Sequence, residues 1–126
     1  MNAPALTSGF DLLGQTWSAL TVAEVKWNGR RKIVLFAGGG YDPDQDGADV
    51  AGPGARIPDD VGNTIYMIDA STGAVLWNAN TNLGLSTSMT NSFAADVIPI
   101  DRDGNGYSDL LYATDVGGRV WRFDFS

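Results

Sequence analysis

Apolar and polar residues alternate along this chain in short runs, and glycine or Asn/Asp clusters cut one run from the next. A period of two puts successive side chains on opposite faces of extended backbone, so the pattern predicts strands. Thr21–Trp27 alternates as a strand with one wet face. Asn28-Gly29 follows, the strongest two-residue hairpin signal, because both central positions of a type I′ turn need positive φ. Lys32–Ala37 is apolar on both faces and predicts a strand buried within a sheet. Thr64–Asp69 and Ala74–Trp77 flank Ala70-Ser71-Thr72-Gly73, a second hairpin in which Asp69 or Thr72 caps turn amides. Further strands are predicted over 95–100 and 109–114. Arg119–Phe125 alternates cleanly after the Gly117-Gly118 turn. Residues 1–15 read as irregular and 78–92 as a polar loop. Gly38-Gly39-Gly40 reads as a turn rather than a phosphate cradle, because no helix follows it.

The runs repeat. Ala23 to Gly39 reads strand, turn, apolar strand, Ala-Gly-Gly, and a further strand opens at Gly62 and runs to Asp69. Ala95 to Asp115 reads strand, acidic loop, apolar strand, Ala-Thr-Asp, and then Gly117 to Asp124. The expected fold class is therefore all-β: antiparallel sheets forming about two blades of a partial β-propeller. The whole chain, 1–126, is expected to be one partial propeller domain. Unit one covers about 16–80, with an Asp/Gly/Pro-rich insert at 42–60, and unit two about 94–126.

The loop inside unit two carries the candidate chemistry. Over Asp101-Arg102-Asp103-Gly104-Asn105-Gly106-Tyr107-Ser108-Asp109, oxygen-bearing side chains fall at positions 1, 3, 5 and 9. A hard cation takes six to eight oxygens, and alternate residues of a tight loop can supply them. Asp101, Asp103, Asn105 and Asp109 are candidate side-chain ligands, and Tyr107 a ligand through its backbone carbonyl. The first six positions fit the D-x-[DN]-x-[DN]-G pattern, but position twelve is Tyr112 rather than glutamate. Apolar strand-like runs on both sides exclude a helix–loop–helix unit. The expectation is an inter-strand calcium loop, favoured over magnesium and over a polar turn whose carboxylates only cap amides. Asp42, Asp44 and Asp46 imitate such a loop, but its ninth position is Val50, so a solvated acidic insert is expected there before a weaker second site over 42–49.

Composition narrows the choice. Eight basic residues against fifteen acidic ones give a net charge of −7. That balance argues against nucleic acid or an anionic membrane as partner. With no cysteine and no histidine, the chain has no thiolate chemistry and lacks the commonest general base and zinc ligand. No stretch approaches the length of a membrane span, and Met1-Asn2-Ala3-Pro4 does not open a signal peptide. No catalytic residue set is predicted, and the expected role is not enzymatic.

Several segments together resemble the C-terminal propeller-like domain of the PilC/PilY-type family of type IV pilus biogenesis and tip-adhesin proteins. They are Gly14-Gln15-Thr16-Trp17-Ser18, Leu35–Asp42, Ile65–Trp77 and the run from Asp101 to Asp124. Asp101, Asp103, Asn105, Tyr107 and Asp109 fall on that family's D-x-D-x-N-x-x-x-D calcium loop. The resemblance implies an exported protein of the outer membrane, pilus or cell surface, whose signal lies outside this chain. Its implied partners are other pilus assembly proteins or minor pilins, and a host or surface ligand. Its calcium occupancy would set pilus extension against retraction, and hence twitching and adhesion. Two rival readings remain. The Asp69-x-x-Thr72-Gly73-x-x-x-Trp77 segment also resembles the blade motif of calcium- and pyrroloquinoline-quinone-dependent dehydrogenases, with Trp77 expected to pack between blades. In the other reading, a ligand-binding propeller uses calcium only as a staple and Trp17, Trp27 and Trp121 as a recognition surface.

Overall fold

In a computed structural model, residues 9–16, 18–43, 59 and 61–125 are described. They form two antiparallel sheets. The first runs β1 (Thr21–Trp27), β2 (Arg30–Gly38), β3 (Ile65–Asp69) and β4 (Val75–Asn78), each strand pairing with the next. A four-residue helix, α1 (Ala79–Asn82), follows, and then a three-stranded sheet of β5 (Ile98–Ile100), β6 (Leu110–Thr114) and β7 (Val120–Asp124). The fold is all-β as expected, and neither sheet closes on itself among the described residues.

Local chemistry accounts for most of these elements. Asn28 and Gly29 take φ of 51° and 77°, so β1 turns straight into β2 with Trp27 opposite Arg30. Asp69 accepts from the Ser71 amide and hydroxyl, and Thr72 Oγ1 accepts from the Ala74 amide, which together build the β3–β4 turn. Asp115 Oδ1 accepts from the Gly117 and Arg119 amides, and its Oδ2 accepts from Trp121 Nε1 at 2.9 Å. That one carboxylate shapes the β6–β7 turn and orients an aromatic ring.

The repeat read from the sequence is reproduced in the strand registers. Phe36 pairs with Thr21 and Met67, while Tyr112 pairs with Ile98 and Arg122. Leu35 pairs with Val22 and Ile68, while Leu111 pairs with Pro99 and Phe123. The meander β1-β2-β3 therefore matches β5-β6-β7 in pairing register over the pairs they share, with Ile65–Asp69 equivalent to Val120–Asp124.

The two sheets stack through unlike faces. Val25, Val34, Phe36 and Met67 line the inner face of the first sheet, and Leu111, Ala113 and Phe123 that of the second. Phe36 lies 5.8 Å from Phe125, and Trp77 lies 5.6 Å from Phe123, ring centre to ring centre. Leu111 and Phe123 are equivalent to Leu35 and Ile68, which point to the far side of the first sheet. The contact is thus head-to-tail, each sheet facing the same way along the stack.

Several expectations need correction. Residues 95–97 are not strand: Asp96 Oδ1 accepts from the Ala19 amide and the Val97 carbonyl from Thr21 Oγ1, tying this segment to the entry of β1. The segment 78–92 is more than a polar loop. Asn78 N-caps α1 through the Thr81 amide, and Met89, just before Phe93, is fully buried in the core. β2 is central as expected, yet Ile33 remains 46% exposed, so one of its faces is only partly covered. Val120 is 71% exposed and does not join the aromatic members of β7. At the end of β2, a Cβ on Gly38 would lie 2.4 Å from the Phe93 carbonyl, so close backbone approach adds to the turn. The two ends of the acidic insert, Asp42 and Asp59, are buried rather than solvated, and Asp59 accepts from the Ser92 amide. Trp17, Asp44 and Asp46, and with the last two the second-site reading, lie outside the described residues.

Candidate metal loop

The register places the candidate loop. Ile100 opposite Leu110 is equivalent to Ala23 opposite Val34, but there the β5–β6 ladder ends, whereas β1 and β2 continue four pairs further. Residues 101–109 leave the sheet as a loop closed at its base by the Asp109 amide, which donates to the Ile100 carbonyl at 2.8 Å.

Within the loop, carboxylates turn inward onto backbone amides. Asp101 Oδ1 accepts from Gly104 and Asn105 at 2.8 and 3.2 Å, and Oδ2 accepts from Gly106 at 2.8 Å. Asp103 Oδ1 accepts from the Asn105 amide at 3.2 Å, and Asn105 Oδ1 accepts from Tyr107 at 2.9 Å. Gly104 and Gly106 sit at φ of 75° and 92°. The Gly106 amide, followed by those of Gly104 and Asn105 together with Asp103, holds the Asp101 carboxyl below the usual carboxylate range against some desolvation.

Three carboxylates meet across this loop. One oxygen each of Asp101, Asp103 and Asp109 lies within 4.8 Å of the others, and these three form the one such acidic group among the described residues. Asp101 and Asp103 are exposed, while Asp109 is 8% exposed and accepts from the Arg102 amide at 3.1 Å. Amide capping alone would account for Asp101 and Asp103, since a polar turn does the same. Asp109 comes from the far end of the loop, caps the Arg102 amide at its start and is largely buried beside two other anions. An all-oxygen set of this kind suits a hard cation. The Asn105 amide is shared by Asp101 and Asp103, its Nδ2 donates to Asp103 Oδ2 at 3.3 Å, and its Oδ1 accepts from the Tyr107 amide.

One feature was not legible in the sequence. The Ser108 amide donates to the Glu24 carbonyl at 2.7 Å, so the loop is bonded to β1 of the other sheet. A shallow cavity beside it is lined by Lys26, Gly29, Asp103, Asn105, Tyr107 and Asp109, among others. The loop therefore touches both sheets. Trp77, the residue shared with the quinoprotein motif, packs edge-on against Phe123 and Phe125 between the sheets.

No helix among the described residues is long and apolar enough to cross a membrane. No family model and no curated protein matches this chain in sequence. Among solved structures it is similar to the crystal structure of the Pseudomonas aeruginosa PilY1 C-terminal domain, at 23% identity and a TM-score of 0.59. That match covers 91% of this chain and 19% of the other, so the chain shares its fold with about a fifth of the PilY1 C-terminal domain.

Proposed function

We propose that this chain is a calcium-binding module of a type IV pilus assembly and adhesion protein, two blades of a larger propeller in which calcium occupancy sets pilus extension against retraction. The observation that carries the metal part is the convergence of Asp101, Asp103 and Asp109 within 4.8 Å, with Asp109 largely buried. The pilus part is supported by the fold shared with the PilY1 C-terminal domain and by the loop motif that falls on Asp101–Asp109. The propeller part is supported by two sheets of one register stacked head-to-tail, the arrangement that repeats blade after blade in a propeller.

Asp101, Asp103, Asn105 and Asp109 would hold the ion through side-chain oxygens, and Tyr107 through its carbonyl. A bound divalent cation supplies compensating positive charge to three carboxylates. The chain's own part is mechanical. Asp109 anchors the loop at the base of β6, and the Ser108 amide holds it to Glu24 on β1. A loop kept in this shape fixes how the β5–β6 hairpin sits against the first sheet, and with it the surface offered to pilus partners. The role is non-catalytic. The chain has neither histidine nor cysteine, and Trp77 is engaged in inter-sheet packing.

Calorimetric titration with calcium and with magnesium tests the metal reading. Calcium is expected to bind at one site and Asp109→Ala to abolish it; unchanged affinity in that variant sinks the ligand assignment. In the exported parent protein, loss of the same ligands is expected to impair twitching. Normal extension and retraction would leave calcium a purely structural staple.

A further inference from the structure

Two asparagines of this chain are followed by glycine: Asn28-Gly29 at the tip of the first hairpin and Asn105-Gly106 in the acidic loop. Such a pair can react with itself, because glycine has no side chain to shield its amide nitrogen from the asparagine's side-chain carbonyl carbon. The two sites are held differently. Asn28 is kept at φ 51° by the ladder that ends at Trp27 opposite Arg30. Asn105 and Gly106 are exposed, and each group that the reaction involves already has a neighbour suited to it.

The Tyr107 amide donates to Asn105 Oδ1 at 2.9 Å, which folds the asparagine side chain back over Gly106. That fold turns Cγ toward the Gly106 nitrogen and keeps a donor on the oxygen where negative charge develops during attack. The Gly106 amide donates to Asp101 Oδ2 at 2.8 Å, within reach for proton transfer. Asn105 Nδ2, the leaving group, donates to Asp103 Oδ2 at 3.3 Å. A Cβ at Gly106 would meet nothing within 4 Å, so no packed neighbour obstructs the attack.

We propose that Asn105 is a self-modification site, at which the folded loop promotes its own deamidation. The Gly106 nitrogen bonds to Asn105 Cγ while its proton passes to Asp101 Oδ2. The Cγ–Nδ2 bond then breaks, and Nδ2 takes that proton and leaves as ammonia. Water opens the resulting succinimide ring at either carbonyl, and no other co-reactant is needed. One opening leaves aspartate at 105. The other leaves isoaspartate, whose main chain runs through the former side chain and is longer by a methylene. Either product adds a negative charge to a chain already at −7. The reaction needs no metal ion and does not rest on the calcium reading, although its products alter one of the proposed ligands.

The test incubates the full chain in chelator at neutral pH, folded in buffer and unfolded in urea, and follows both asparagines by peptide mapping and mass spectrometry. Folding is expected to speed conversion of Asn105 about tenfold over the unfolded chain, with Asn28 lagging behind it. Asp101→Asn is expected to bring the folded rate at Asn105 back to the unfolded one. Conversion of Asn105 no faster in buffer than in urea overturns the proposal. So does a folded chain in which Asn28 reacts as fast as Asn105, since the following glycine alone would then be responsible. An Asp101→Asn variant that folds and reacts like the parent overturns it too. If that variant fails to fold, the parent chain in buffer and in urea decides the matter.

Discussion

The β1–β2 and β5–β6 hairpins begin in the same register and end differently. From Ala23 opposite Val34, the first continues as a ladder to Asn28-Gly29, whose positive φ angles turn the chain without outside help. From Ile100 opposite Leu110, the second opens into nine residues held by carboxylates bonded to their own amides. The first closes by backbone geometry, which nothing in solution alters. The second gathers three carboxylates, and on the proposed metal reading its closure would depend on the ion they hold. On that reading one sheet is the frame, and the other carries the part that an ion would adjust.

The largest test of this contrast lies in the core beneath the hairpins. Leu111 is fully buried between the sheets, while its equivalent Leu35 is half-buried on the far side of the first. Leu111→Ala is expected to destabilise the chain by about 2–5 kcal/mol and Leu35→Ala by clearly less, measured by urea unfolding. Equal losses would mean that the sheets do not stack through unlike faces.

Next comes the ion. A hundredfold excess of calcium over Kd is expected to add about 2.7 kcal/mol of stability. Asp103→Asn gives the sharper reading, because Asp103 is exposed and its removal relieves repulsion. In chelator this variant should melt slightly above the parent chain, and in calcium below it. The same ranking in both conditions would show that the loop is an amide-capped turn and no more.

Gly29→Ala isolates the other hairpin. A Cβ there meets nothing within 4 Å, so only the left-handed backbone resists it, at a cost of roughly 1–2 kcal/mol. Calcium affinity should not change. A shift in affinity would show that the β1–β2 turn and the metal loop are one unit.

The smallest effect is acid sensitivity. Lys32, followed by the Ser71 hydroxyl and amide, holds the Asp69 carboxyl well below its ordinary range, and the Gly106 amide leads the lowering at Asp101. Both folded values are depressed, so the stability they contribute is present above the unfolded carboxylate value of about 3.9 and is lost as pH falls below it. Lys32→Met should flatten the Asp69 part of that acid limb while leaving the loop's part. An unchanged limb in thermal melts between pH 5 and 2 would remove Asp69 from the account.

Much of this could be read from residue order, because it depends on neighbours in the chain. Alternation specified the strands, Asn28-Gly29 and Ala70–Gly73 specified turns, and the spacing of Asp101, Asp103 and Asp109 specified a loop whose carboxylates could meet. Even the repeat emerged from the shared order of strand, turn or acidic loop, and apolar strand over Ala23–Gly39 and Ala95–Asp115. Other features depended on segments far apart in the chain. Residues 95–97 left the sheet because Ala19 and Thr21 claim their polar groups, and Met89 and Phe93 entered the core from a stretch polar on average. The Ser108–Glu24 bond and the head-to-tail stacking likewise follow from which face of one sheet meets the other. Alternation labels two faces of a strand but does not say which partner each will find, and only packing in three dimensions makes that choice.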